Sequence, residues 1–161
     1  MTDRFELREV TRANWKECIA LAVTEEQTAG DFVSPNVYSL AEASFHPFVP
    51  RAIYRDDQMV GFVMWLEHDE GDGLEWFGSD SRPEYWISRF MIDAAHQGRG
   101  YGRRALEIVI KEMRSSFHCK EINLSYNDDN IAAARLYASF GFQVIGRAPW
   151  NEAMARLTLE N

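Results

Sequence analysis

The chain switches between two hydrophobic periods, one of two residues and one of three to four. Arg4–Val10 alternates, with Phe5 and Leu7 facing one way, and predicts a first strand. Asn14 followed by Glu17 has the form of a capping box, with Trp15, Ile19 and Ala22 at helical spacing behind it. Ser39 and Glu42 repeat the device before a short helix that Pro47 closes. Arg51–Arg55 and Met59–Glu67 flank the polar turn Asp56-Asp57-Gln58, a hairpin pattern. Tyr85–Ile92 is apolar on both faces except at Ser88 and Arg89, as expected of a central buried strand.

A glycine-rich turn follows, then a helix with Leu106, Val109, Ile110 and Met113 on one face. Glu121–Tyr126 alternates through Ile122, Leu124 and Tyr126. Asn130 to Phe140 carries Ala133, Leu136, Tyr137 and Phe140 as one helical stripe, and Gly141 ends it. Phe142–Arg147 and Ala153–Leu159 read as two closing strands joined through Pro149-Trp150-Asn151. The expectation is an α/β fold: a mixed central sheet of about seven strands with helices on both faces, and residues 1–161 as a single domain.

Composition narrows the function. With 161 residues, 46% hydrophobic and 13% aromatic, the chain can bury a core, which excludes intrinsic disorder. Asp and Glu number 25 against 17 Lys and Arg, a net charge of -8 that repels nucleic-acid backbones and attracts small cations. The apolar runs Cys18–Val23 and Phe62–Leu66 are too short to cross a membrane, and residues 1–10 lack a signal-peptide pattern. Cys18 and Cys119 show no metal-ligand spacing, so no metal is expected; they read as two buried thiols of a cytoplasmic protein.

Gln97-Gly98-Arg99-Gly100-Tyr101-Gly102 sits between a buried strand and a helix. Glycines permit positive φ and close backbone approach, and a helix start adds unpaired N–H groups and a positive dipole end. Together they form a phosphate cradle, with Arg99, Arg103 and Arg104 as nearby counter-charges. A dinucleotide-binding G-x-G-x-x-G would need glycine at Arg103. A Walker A loop would need Lys and Ser or Thr at Arg103 and Arg104. Neither fits.

The pattern Gln-x-x-Gly-x-Gly after an apolar strand instead resembles the acyl-CoA pyrophosphate loop of the GCN5-related N-acetyltransferase (GNAT) superfamily. Asn130, Ala133, Leu136-Tyr137 and Phe140-Gly141-Phe142 resemble its second signature. The resemblance implies the GNAT fold, acetyl-CoA as co-substrate, and a role for each matching residue. Backbone groups of Phe90, Met91 and Ile92 would pair with the pantetheine arm, and N–H groups of Gln97, Gly98, Arg99, Gly100, Tyr101 and Gly102, with Arg103 beside them, would hold the pyrophosphate. Asn130 would bond the pantetheine, or act simply as a helix cap. Tyr137 would be the general acid that protonates the departing thiolate; the plain alternative is a core tyrosine. Ser88 departs from the acid that close relatives carry there.

The amine nucleophile arrives protonated at neutral pH, and a carboxylate can remove that proton. No motif identifies it; Glu25, Glu26, Glu67, Glu75 and Glu84 are the candidates, with Glu25, Glu67, Glu75 and Glu84 also expected to bind the acceptor. Glu67, Asp69, Glu70, Asp72 and Glu75 put five acids in nine residues, flanked by Trp65, Trp76, Phe77, Tyr85 and Trp86. Acids with aromatics suit a flexible polycation, although a solvated loop has the same composition. Residues 27–43 and Arg89-Phe90-Met91-Ile92-Asp93 resemble the bacterial BltD-like spermine/spermidine acetyltransferases, which implies a polyamine acceptor. Two alternatives stay open: another amine (a protein N-terminus, an amino acid, an antibiotic), or a sensor that binds acyl-CoA without turnover. The oligomeric state is open as well, a homo-oligomer included.

Overall fold

The computed structural model describes residues 2–69 and 83–160. Seven strands form one sheet: β1 (Phe5–Glu9), β2 (Phe48–Arg55), β3 (Gln58–His68), β4 (Glu84–Ile92), β5 (Glu121–Tyr126), β6 (Gln143–Arg147) and β7 (Ala153–Thr158). Their order is β1-β2-β3-β4-β5-β7-β6, and every neighbouring pair is antiparallel except β4 and β5. Five α-helices complete the described residues: α1 (Trp15–Ala20), α2 (Glu25–Ala29), α3 (Asn36–Ala43), α4 (Tyr101–Phe117) and α5 (Ile131–Ser139). None of the described helices is long and apolar enough to cross a membrane.

Strand alternation sends side chains to two cores, one on each face of the sheet. Phe62 and Met64 of β3 pack with Cys18 of α1 and Leu40 and Ala43 of α3. Their neighbours Val63 and Trp65 point the other way, to Leu106, Val109 and Met113 of α4 and to Tyr137 of α5. Helices therefore cover both faces, as the period-2 strands required. Asn36, buried at the start of α3, ties the first layer together by donating to the Cys18 carbonyl at 2.9 Å.

Two caps differ from the sequence expectation. Asn14 precedes α1, but its side chain makes no cap bond; its Oδ1 accepts from the Thr11 N–H and its Nδ2 donates to the Glu9 carbonyl. Ser39 lies inside α3, fully buried, because that helix already starts at Asn36 after Pro35. The reciprocal capping box stands at Thr24 and Gln27, where it opens the unanticipated five-residue helix α2.

Two departures from regular pairing shape the centre of the sheet. Between β3 and β4 the register jumps from Met64↔Arg89 to Trp65↔Ile87, so Ser88 is an extra residue, a β-bulge. Between β4 and β5 the one registered pair is Trp86↔Asn123, after which the two strands part. Phe90, Met91 and Ile92 thus run on with no partner strand among the described residues on their β5 side.

Candidate active site

Two clefts meet where β4 and β5 separate. The first, about 220 Å³, runs along the end of β4, the glycine turn and α5, and is lined by Phe90, Met91, Ile92, Gln97, Gly98, Gly100, Tyr101, Gly102, Asn130 and Tyr137 among others. The second, about 430 Å³, lies over the bulge, the end of β5 and the turn before β7, and takes in Glu42, Ser88, Arg89, Ser125, Trp150 and Glu152. Phe32, Val33, Phe90, Asn130 and Tyr137 line both. Of the residues expected to bind a cofactor, all but Arg99 and Arg103 are therefore brought together, up to 40 residues of chain apart, around one groove.

The glycine turn follows a short 3₁₀ turn (Ala94–His96) that Asp93 caps. Gly98 and Gly100 have φ of 76° and 79°, the left-handed region that glycine tolerates, and a Cβ at either would meet no atom within 4 Å. Gly102 differs: it lies inside α4, without positive φ, and faces Leu136 and Ile92. Among the described residues nothing accepts from the N–H groups of Gly98, Arg99 and Gly100, and the first turn of α4 adds its own orphan donors. Open space in front of free N–H groups at a helix start suits an anionic diphosphate, the chemistry acetyl-CoA presents.

The side chains around the turn have mostly structural partners. The Gln97 amide donates to the Ile92 carbonyl at 2.9 Å, closing the loop back onto β4. Tyr101 buries its ring against Phe5 at 5.2 Å. Arg103 donates to the Ser139 hydroxyl and lies over Phe140, and Arg104 donates to the Asp3 carbonyl and lies over Phe5. Of the three anticipated counter-charges only Arg99 is without such a partner among the described residues. Asn130 caps α5 by accepting from the Ala133 N–H at 3.2 Å, which leaves its Nδ2 beside both clefts.

Tyr137 sits at the junction, 7% exposed, with Tyr126 and Phe142 at 5.6 and 5.8 Å between ring centroids. Its hydroxyl makes no hydrogen bond to another described residue. Burial, then the negative charge of Glu152, raises its pKa well above the ordinary phenol value, so the hydroxyl stays protonated.

The acids expected to meet the acceptor lie elsewhere. Glu67 is exposed and stands opposite Tyr85 of β4 on the α4 side of the sheet, whereas its neighbours Leu66 and His68 line the larger cleft. Strand alternation makes the two placements mutually exclusive. Glu84 is buried, accepts from the Trp86 indole at 3.0 Å and lines neither cleft. Glu25 and Glu26 are exposed on α2, outside both clefts. Glu75 lies outside the described residues, as do Glu70, Asp72, Trp76 and Phe77. Among the described residues the acids that do line the larger cleft are Asp31, Glu42 and Glu152. Glu42 is paired with Arg89 at 3.3 Å. The only sequence signal for Glu152 was an acid two residues after an aromatic in a turn, which many surface turns share.

The acetyltransferase (GNAT) family model matches residues 7–142, a span that includes the glycine turn, the parted strands and Tyr137. The chain belongs to this family. It is an N-acetyltransferase with acetyl-CoA as its acetyl donor. Across 149 residues it is 31% identical to the spermine/spermidine N(1)-acetyltransferase of Bacillus subtilis, covering 90% of this chain and 91% of that protein. A shorter stretch of 74 residues, 46% of this chain and 44% of the relative, is 36% identical to the N-alpha-acetyltransferase RimI of Mycobacterium tuberculosis. Among solved structures, the aminoglycoside acetyltransferase AAC(6')-Ib in complex with coenzyme A superposes with a TM-score of 0.77 at 16% identity, over 96% of this chain and 95% of that one. The PaiA N-acetyltransferase of Thermoplasma acidophilum in complex with coenzyme A gives 0.67 at 13% identity, over 97% and 99%. Both share the GNAT fold of this chain.

Proposed function

We propose that this N-acetyltransferase acts on a primary amine of a polyamine such as spermidine or spermine, by direct attack on acetyl-CoA with Tyr137 as general acid. The observation that carries the reading is the larger cleft, which joins Asp31 and Glu152 to the aromatic walls Phe32, Phe48 and Trp86 and ends at Tyr137. Carboxylates spaced along an aromatic groove suit a chain of ammonium groups joined by methylenes. The kinship with the Bacillus subtilis spermine/spermidine enzyme supports the same acceptor, since it extends along nine-tenths of both chains.

The co-substrate has a matching berth. The parted β4 edge at Phe90–Ile92 offers backbone groups to the pantetheine amides. The N–H groups of Gly98, Arg99 and Gly100, with those of Tyr101 and Gly102, face the pyrophosphate, and the Arg99 guanidinium adds charge. The Gln97 N–H is turned to Ala94, so that residue shapes the loop more than it donates. Acetyl-CoA supplies the activated carbonyl; the chain positions it, brings the amine alongside, and keeps a hydroxyl ready for the sulfur. A phenol suits that task because the leaving thiolate needs a proton as the carbon–sulfur bond breaks.

Initial rates with acetyl-CoA across spermine, spermidine, a mono-amine and a short peptide test the acceptor. Spermine and spermidine should be preferred, with a KM for spermine that rises with ionic strength more steeply than that for the mono-amine. Preference for the mono-amine or peptide, or a salt-independent spermine KM, would remove the polyamine acceptor and leave the acetyltransferase.

A further inference from the structure

Glu152 stands at the start of β7, half-buried, on the wall of the acceptor cleft. Its Oε1 accepts two neutral hydrogen bonds, from the Ser125 hydroxyl and from the Trp150 indole N–H, each at 2.8 Å. Its backbone is pinned too, since the Ala148 N–H donates to the Glu152 carbonyl at 2.8 Å. Among the described residues the second carboxylate oxygen has no hydrogen-bond partner, and no Lys, Arg or His lies within ion-pair distance of it. The contrast with Glu42 is direct: that carboxylate, in the same cleft, is already neutralised by Arg89.

A half-buried carboxylate with one oxygen fixed and the other free is poised for a cation that arrives from outside. Position makes the cation's identity specific. Ser125 lies on β5 just past the parting from β4, and Glu152 is near enough to Tyr137 for its charge to act on that hydroxyl. An amine held by Glu152 is therefore beside the point where the two clefts join and where Tyr137 meets the sulfur.

We infer that Glu152 receives the reacting ammonium of the acceptor and takes its proton, which makes it the general base of the transfer. The inference rests on the acetyl transfer and on the acid role of Tyr137 proposed above. The protons balance as follows. The free Glu152 oxygen removes one proton from the ammonium, and the nitrogen lone pair then bonds the thioester carbonyl carbon. As the tetrahedral species collapses, the carbon–sulfur bond breaks and the sulfur takes the Tyr137 proton. The second nitrogen proton restores Tyr137, and Glu152 releases its proton to solvent. The products are the acetamide, CoA thiol and one proton. The titratable and charged groups facing Glu152 are Tyr137 of α5 and Tyr126 of β5, with Asp31, Glu42, His68 and Arg89 across the cleft.

Glu152→Gln keeps an oxygen for Ser125 and Trp150 and removes the charge. With spermidine it should lower kcat/KM about 10²–10³-fold while the acetyl-CoA KM stays within about twofold. The defect should shrink as pH rises towards 10, because the amine then arrives neutral and needs no base. Glu152→Asp should recover part of the loss. Activity of Glu152→Gln within about threefold of wild type, or a loss that is the same at every pH, overturns the inference. If Glu152→Gln does not fold, Ser125→Ala decides, since freeing the carboxylate should lower kcat/KM with the acetyl-CoA KM kept; an unchanged kcat/KM overturns the inference. Wild-type rates on the amine panel separate this outcome from the acceptor assignment. A wild type that prefers a mono-amine, with Glu152→Gln still impaired on it in the pH-dependent way, removes the polyamine and keeps the base.

Discussion

Gln27 and Gln97, 70 residues apart, hold each other by a reciprocal pair of amide hydrogen bonds, 3.1 Å from Gln27 to Gln97 and 2.9 Å in return. Gln27 also closes the capping box of α2, and Gln97 holds the Ile92 carbonyl. One amide pair thus couples helix α2 to the loop beneath the proposed pyrophosphate berth. Gln97→Ala should remove about 1–2 kcal/mol of local order and raise the acetyl-CoA KM about 5–30-fold with little change in kcat. Steady-state kinetics over acetyl-CoA check it; an unchanged KM would mean that the loop is set by its glycines alone.

Gly100→Val places a branched side chain at φ 79°, which costs about 1–2 kcal/mol in backbone strain and fills the space before the free N–H groups. Acetyl-CoA affinity, read by calorimetry, should fall at least about 100-fold. Gly102→Ala is the contrast. Its Cβ would meet Leu136 at 3.5 Å, an ordinary contact, and the helix gains about 1 kcal/mol, so the melting temperature should hold or rise.

Tyr137→Phe keeps the ring contacts with Tyr126 and Phe142 and removes the hydroxyl. Turnover should fall about 10²–10⁴-fold with acetyl-CoA affinity nearly unchanged. Because burial and Glu152 raise the pKa of this hydroxyl, it stays protonated through the usual assay range. A descending limb of kcat between pH 7 and 10 that vanished in Tyr137→Phe would contradict that placement.

Stability should decline in base. Burial raises the pKa of Cys18 from 9.0 to about 11, and burial with Glu67 raises that of Tyr85 from 10.0 to about 12. In both cases the unfolded chain gives up its proton first. Their stabilising share is complete below the unfolded values, erodes from about pH 9 for Cys18 and pH 10 for Tyr85, and is gone once the folded values are passed. Urea titrations from pH 8 to 12 should show this slope, and Tyr85→Phe should flatten the part above pH 10.

Much of the scaffold could be read from side-chain period. Glu121–Tyr126 was bounded at both ends, because Ile122 and Leu124 alternate cleanly against polar neighbours. The glycine turn and Tyr137 were legible because their residue types are rare in that combination. Helix α2 was not, since five residues without an apolar stripe are held by Thr24, Gln27 and a glutamine 70 positions away. The acceptor wall was hidden for a different reason. Composition counts acids, but only the pleat decides that Leu66 and His68 face the cleft while Glu67 faces away. Glu152 acquires its place from Ser125 and Trp150, and no local pattern encodes that meeting.

The bulge at Ser88 is a phase shift in the strand. Upstream and downstream of it, β4 keeps time with β3 by different parities, which is how the adjacent residues Ser88 and Arg89 both come to border one cleft. Deleting Ser88 would put the strand back in step and turn either the upstream or the downstream half over. The glycine turn would then start from the wrong side of the sheet. The spacing of this strand is therefore under tighter constraint than its spelling: at position 88 many side chains can stand, but there must be one.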